Sequence, residues 1–229
     1  MRMLSIDTST YCLSAALTED RERIAEITTN IKKNHSLRLQ PAVRTLMEET
    51  GWKMKDLEAV GVTAGPGSYT GVRIGVTSAK SYAWALDIPL YAVSSLELLS
   101  YSGRGFHGLV CPFLDARRGR VFTGLYAYDD GHMQQVEEDR NTSMEDWLER
   151  LQREEKPILF VSPDADVFRS TICGALPEAF FTERGDYHPG VSMIRYAVER
   201  QEPVDTHAFV PNYTRLAEAE AKWREQYGN

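Results

Sequence analysis

Cysteine is scarce: Cys12, Cys111 and Cys173 are the only three, far apart and odd in number. No C-x-x-C pair occurs, so neither a disulfide framework nor a zinc ribbon is indicated, and a reducing compartment fits best. Long apolar runs are missing too. The stretches at 82–93 and 109–114 are broken by Asp87, Pro89 or Pro112 and are too short to span a bilayer. The start, Met1-Arg2-Met3-Leu4, carries no signal-peptide pattern, and the expectation is a soluble cytoplasmic protein with no membrane contact. Positive charge is in deficit, with 26 Lys and Arg against 33 Asp and Glu and a net charge of −7. Binding nucleic acid nonspecifically takes a surplus of Lys and Arg, so this chain is a poor solo binder but can share a nucleic acid with a basic partner. What remains is ordinary: 229 residues, 42% hydrophobic and 26% charged, enough for one large domain or two compact lobes.

The apolar pattern predicts a hairpin from residues 3–6 and 12–17, then a third strand at 23–29. Residues 36–49 read as a helix, with Leu39, Val43, Leu46 and Thr50 at helical spacing and Gly51 placed to stop it. Pro41 lies inside and is expected to kink the first turns or delay the start. A buried strand at 59–63, a glycine-rich stretch at 64–71 and a helix to about residue 86 follow. Next come a strand at 90–93 and a helix opened by the capping box Ser94-Ser95-Leu96-Glu97 and ending near Gly103. This order makes an α/β lobe. A second lobe begins near Leu109, with a hairpin from 110–115 and 120–128 around Arg117-Arg118-Gly119. A helix capped by Ser143 through Glu154, a strand at 158–161 and a helix at 191–200 follow in it, and a last helix at 216–227 closes the chain. The expected division is 1–104 as the first lobe, completed by a helix at about 208–229, and 105–207 as the second, with a cleft between.

Two loops could carry chemistry. Ala64-Gly65-Pro66-Gly67-Ser68-Tyr69-Thr70-Gly71 joins a strand to a helix, where backbone N–H groups can approach an anion. It lacks the Gly-Lys-Ser/Thr of a Walker A loop and is not G-x-G-x-x-G. The alternative is that its glycines only make a tight turn and let the helix pack closely. Asp7-Thr8-Ser9-Thr10, in the first hairpin turn, offers a carboxylate and hydroxyls, placed like the first phosphate loop of nucleotide-binding proteins of the actin, sugar-kinase and Hsp70 class. Asp and Thr are equally ordinary turn residues.

Taken together, several strings closely resemble the TsaB (YeaZ) family of bacterial tRNA threonylcarbamoyladenosine biosynthesis proteins. They are Leu4-Ser5-Ile6-Asp7-Thr8-Ser9, His35-Ser36 before Leu39 and Pro41, Gly65-Pro66-Gly67-Ser68-Tyr69-Thr70-Gly71-Val72-Arg73-Ile74-Gly75, Leu114-Asp115-Ala116-Arg117-Arg118, and Pro211-Asn212-Tyr213 with Arg215 and Glu218-Ala219-Glu220. The resemblance implies an α/β, two-lobed, actin-like (ribonuclease H-like, ASKHA) fold with a degenerate nucleotide cleft. It implies assembly with the paralogous metalloenzyme TsaD and the ATPase TsaE, a homodimer when alone, and contact with tRNA through the complex. On this basis the metal belongs to the partner, the chain requires no cofactor, and weak or shared ATP or ADP binding is left open.

The departures from TsaD set the expected role. Its His-x-x-x-His metal pair falls here on Ser95 and Leu99, which cannot replace imidazoles. The second phosphate loop reads Leu114-Asp115-Ala116-Arg117-Arg118 without glycine, and Ser162-Pro163-Asp164 replaces the adenosine-side glycine pair. The expectation is a noncatalytic subunit that activates its paralogue. Asp7, Thr8, Ser9, Gly65, Gly67, Ser68, Tyr69, Thr70 and Gly71 remain as degenerate phosphate-loop candidates. By resemblance, His35, Leu39, Val43, Leu46 and Met47 of one helix and Val72, Val76, Ala79 and Ala83 of the next form the partner interface. The alternative is that both stripes cover the sheet of their own lobe. Arg117 and Arg118 could touch tRNA or an acidic partner, or be a solvated turn. Two rivals are a free-standing ATP-dependent phosphotransferase of the same fold and, third, a peptidase of the partner, which lacks both G-x-S-x-G and H-E-x-x-H support.

Overall fold

The computed structural model describes residues 1–32, 34–183 and 185–212. Five strands form the first sheet: β1 (Arg2–Asp7), β2 (Cys12–Glu19), β3 (Glu22–Asn30), β4 (Ala59–Thr63) and β5 (Leu90–Val93). Their order is β3-β2-β1-β4-β5, with β1 antiparallel to β2 and parallel to β4. The second sheet holds β6 (Leu109–Arg117), β7 (Arg120–Asp129), β8 (His132–Ser143), β9 (Ile158–Val161) and β10 (Phe180–Phe181). Read from its other edge, its order is β8-β7-β6-β9-β10. Each lobe thus places its third, second, first, fourth and fifth strands side by side, the duplicated architecture of the two-lobed actin-like α/β fold.

Side chains alternate across β1, and the two faces go to different cores. Leu4 and Ile6 meet α1 (His35–Thr50) and α2 (Tyr69–Leu86), while Met3 faces the other side. In the second lobe, Phe113, Leu125 and Phe160 pack on α4 (Met144–Leu151) and α5 (Ala165–Ala175) through Trp147, Leu148, Phe168 and Ile172. The third core joins the lobes. Leu96 and Leu99 of α3 (Ser95–Ser100) and Ile194 of α6 (Ile194–Ala197) share it with Met3, Val93, Val110 and Tyr126. Residues 190–204 therefore lie against the first sheet as well as the second lobe, and the Val204 N–H reaches the Leu90 carbonyl at 2.8 Å.

Several local expectations change. Pro41 does not delay α1, which starts at His35, is capped by Asn34 and runs to Gly51 at φ +70°. The carbonyl that the missing N–H would have bonded is that of Leu37, on the exposed face where water can satisfy it. β8 and α5 were not expected. As an edge strand paired only with β7, β8 can be polar along most of its length, Gln134-Gln135-Val136-Glu137-Glu138-Asp139-Arg140, so no apolar run marks it. α4 stops at Leu151 rather than Glu154, and 191–200 is three single turns, Val191–Met193, Ile194–Ala197 and Val198–Arg200. The expected helix at 216–227, with Tyr213, Arg215 and Glu218-Ala219-Glu220, lies outside the described residues.

Candidate functional site

Parallel strands β1, β4 and β5 end together, and in open α/β sheets ligands bind in the crevice beyond such carboxyl ends. Asp7 ends β1 and is 1% exposed. Its carboxylate accepts the Ser9 N–H at 2.8 Å, the hydroxyl of Thr63 at the end of β4, and His188 Nε2 at 2.8 Å. Burial pushes the Asp7 pKa up, but the hydrogen bonds from His188, Thr63 and Ser9 outweigh it and hold the carboxyl below its usual range. The Gly190 N–H donates to His188 Nδ1 at 3.1 Å, which leaves that nitrogen an acceptor and puts the ring proton on Nε2, facing Asp7.

The two loops singled out from sequence are brought together, and their polar groups point at each other. Thr8 Oγ1 donates to the Gly71 carbonyl at 2.7 Å, and the Ser68 N–H to the Ser9 carbonyl at 2.6 Å. A Cβ on Gly67 would sit 2.2 Å from Ser9 O, and one on Gly71 2.1 Å from Thr8 O. These glycines make room for the first hairpin turn. Ser68 caps α2 through the Gly71 N–H, Thr70 is exposed, and half-exposed Tyr69 lies under the Arg73 guanidinium at 4.2 Å. The Gly65 carbonyl accepts the Ser95 N–H at 3.0 Å, and the Asn212 carbonyl would crowd a Cβ there at 2.8 Å. Thr8, Ser9, Gly67 and Gly71 are thus committed to one another.

The interface assignment needs correction. Leu39, Val43, Leu46, Met47, Val72, Val76, Ala79 and Ala83 are all at most 8% exposed and fill the core between α1, α2 and their own sheet. An amphipathic helix has one apolar stripe, and here the sheet takes it. His35 also turns inward, its Nε2 bonding the Thr10 carbonyl at 2.8 Å. Arg117 and Arg118 do stand exposed at the β6–β7 tip, at φ +71° and +56°, with the Arg117 guanidinium 3.8 Å from Asp115. Ser95 and Leu99, at the positions of the paralogue's two histidines, are each 1% exposed. Among the described residues no three His, Cys, Asp or Glu are grouped to hold a metal.

Sequence reasoning missed His188. It lies 181 positions from Asp7, and no spacing rule reaches that far. It also missed a partly buried carboxyl pair, Glu97 on α3 and Asp139 on β8. Asp139 accepts from Ser94 and Tyr126, and from Gln135 at 3.2 Å; Glu97 accepts from Gln201 at 3.3 Å. Burial and the Asp139 charge push Glu97 up to about 7, and burial raises Asp139 as well.

The model of the family described as TsaD, tRNA N6-adenosine threonylcarbamoyltransferase, matches residues 22–223. The tRNA threonylcarbamoyladenosine biosynthesis protein TsaB of Bacillus subtilis is 47% identical over 226 residues, 98% of this chain and 99% of its own length. TsaB of Escherichia coli is 33% identical over 140 residues, 60% of each chain. Among solved structures, a Pseudomonas aeruginosa protein described as uncharacterized with similarity to peptidase YEAZ superposes with a TM-score of 0.75 at 25% identity, covering 93% of this chain and 99% of that one. No helix of the described residues is long and apolar enough to cross a membrane. Near-full-length identity, the matched model and the shared two-lobed fold agree: the chain belongs to the TsaB family of tRNA threonylcarbamoyladenosine biosynthesis proteins, within the wider family that the TsaD model describes.

Proposed function

We propose that the chain serves threonylcarbamoyl transfer to N6 of the tRNA adenosine 3′ of the anticodon as a noncatalytic subunit. It binds and activates a TsaD-type metalloenzyme, together with a TsaE-type ATPase, and meets tRNA through that complex. The observation that carries this reading is the state of Asp7. The carboxylate at the head of the crevice is engaged by Thr63 and Ser9 on one oxygen and by His188 on the other, so both oxygens already serve the chain itself. Catalytic acids and ligands need an accessible group, and this one is buried with three donors already on it.

With the inner stripes of α1 and α2 used by the core, the docking face is their outer side. Leu37 and Trp84 are 73% and 69% exposed there, and Gln40, Arg73, Ile74 and Thr77 line a groove between the helices. An exposed Trp84 and Leu37 beside a groove that carries Arg73 and Ile74 suit a protein partner, either the TsaD-type subunit or, for the chain alone, a second copy. The test is a drop-out assay that follows labelled threonine into tRNA with the TsaD-type and TsaE-type subunits, ATP and the adenylate-forming enzyme. Activity that needs this chain, with none from the chain alone, supports the reading. Full activity without it overturns it.

A further inference from the structure

Buried charges in folded proteins are paired and buried polar atoms are bonded. The start of α1 departs from both rules. Between Glu26 and Glu48 the sequence holds no Asp or Glu but four Lys and Arg, in a chain where acids outnumber bases by 33 to 26. Arg38, half-buried on α1, donates from Nη2 to the Thr29 hydroxyl, a neutral group that itself donates to the Leu13 carbonyl. Its Nη1 is buried without a partner, and among the described residues no carboxylate pairs with the guanidinium. His35, one turn earlier on the same helix face, repeats the pattern. Its Nε2 meets the Thr10 carbonyl at 2.8 Å, which puts a ring proton there and leaves Nδ1 the acceptor in the neutral ring; that Nδ1 is buried and unpartnered too. Exposed Lys32 stands over Tyr11, the residue after Thr10, with its Nζ 5.3 Å from the ring centre.

Each side chain is thus anchored through one nitrogen and leaves another unsatisfied, a costly arrangement unless a ligand completes it. We propose that Lys32, His35 and Arg38 form a phosphate site. Phosphate oxygens accept from Arg38 Nη1 and Lys32 Nζ, and a hydroxyl on the phosphate or on its ribose donates to His35 Nδ1. Two cationic donors beside an acceptor match an oxyanion that brings its own hydroxyl, whereas a carboxylate or sulfate has no hydrogen for Nδ1. Both His35 and Arg38 are half-buried rather than deep, so the ligand reaches them from the protein surface. Two sources carry this chemistry, free phosphate and the ribose-phosphate backbone of RNA. The site shares no residue with Asp7 and its partners or with the groove between α1 and α2, and it does not rest on the subunit reading.

Thermal melting of the full chain at about pH 8 is the test, with phosphate set against sulfate, because both are dianions there and only phosphate keeps a hydroxyl. At about 20 mM phosphate, a site of about 2 mM affinity raises the melting temperature by roughly 3–6 °C, and sulfate should raise it by under about 1 °C. Arg38→Gln keeps an N–H for Thr29 but has no charge left to satisfy. Without phosphate it should melt no lower than the wild type, unlike a variant that breaks a structural arginine, and it should lose the response to phosphate. A short oligouridylate separates the sources. If the ligand is RNA, the oligonucleotide binds, and Lys32→Glu lowers the salt slope of binding by about 1. A shift with phosphate and none with the oligonucleotide assigns the site to the free ion. No response to either, an equal response to sulfate, or a response kept by Arg38→Gln overturns the proposal.

Discussion

Glu97→Gln should make the protein more stable at alkaline pH and nearly unchanged in acid. Glu97 lies on α3, in the core that joins the lobes, and among the described residues it accepts from the neutral amide of Gln201. Burial, and then the Asp139 charge, push it from the usual 4.5 to about 7, a preference for the protonated form of about 3 kcal/mol. Because the folded value is raised, the folded state holds the proton more tightly than the unfolded chain. Below the unfolded value both states are protonated and nothing is lost. Stability falls as pH rises from about 4.5 to about 7 and is down by the full amount above that. Glutamine is neutral throughout and can still accept from Gln201. In a chain of this size 1 kcal/mol shifts the melting temperature by about 2–4 °C, so the variant should melt about 6–12 °C above the wild type at pH 8.5. At pH 5 the gap should shrink to under about 1 kcal/mol. Asp139, also raised by burial, keeps its own slope of the same sign in both proteins. Calorimetric melting at both pH values is the assay. A gap that does not change with pH, or a wild type more stable at pH 8.5, refutes the reasoning.

Val76→Glu should unfold the first lobe rather than merely block pairing, because Val76 is 2% exposed and a lone carboxylate there costs about 4 kcal/mol or more. Trp84→Glu should leave the stability within about 0.5 kcal/mol of wild type and abolish coelution with the TsaD-type subunit; retained coelution would remove the outer face of α2 from the interface. Gly71→Ala should cost about 2–3 kcal/mol in chemical denaturation, since its Cβ falls 2.1 Å from the Thr8 carbonyl and either α2 or the first turn must move.

What the sequence made legible follows from range. Strands β4, β5 and β9 announce themselves as short apolar runs bounded by turn residues, and their ends fall where the pattern puts them. The stripes of α1 and α2 were equally readable as stripes, but periodicity does not say what covers them. The family resemblance pointed outward, and the sheet of the same lobe claims them. Polar edge strand β8 and the broken turns of 191–200 were hidden because neither needs an apolar pattern of regular period. α5 was overlooked despite Phe168 and Ile172 at helical spacing. His188 was invisible for a different reason: its meaning arises only when the chain returns from the second lobe to Asp7.

The glycine-rich loop shows why a motif can outlive the chemistry it suggests. Read as a phosphate cradle, its glycines exist so that a ligand can approach the backbone. In this fold the approaching group is the chain itself: Ser9 O lies against Gly67, Thr8 O against Gly71, and the Thr8 hydroxyl 2.5 Å from where a Gly75 Cβ would be. Any side chain at these positions pushes the first hairpin turn off the start of α2, whether or not anything binds. The same holds for Asp7, which secures the Thr63 hydroxyl and the Ser9 N–H and so fixes the turn that the glycines receive. Packing alone is thus sufficient reason for Gly67, Gly71 and Gly75, and ligand binding has to be argued separately, from whether the space beyond Asp7 is open. Here His188 fills it.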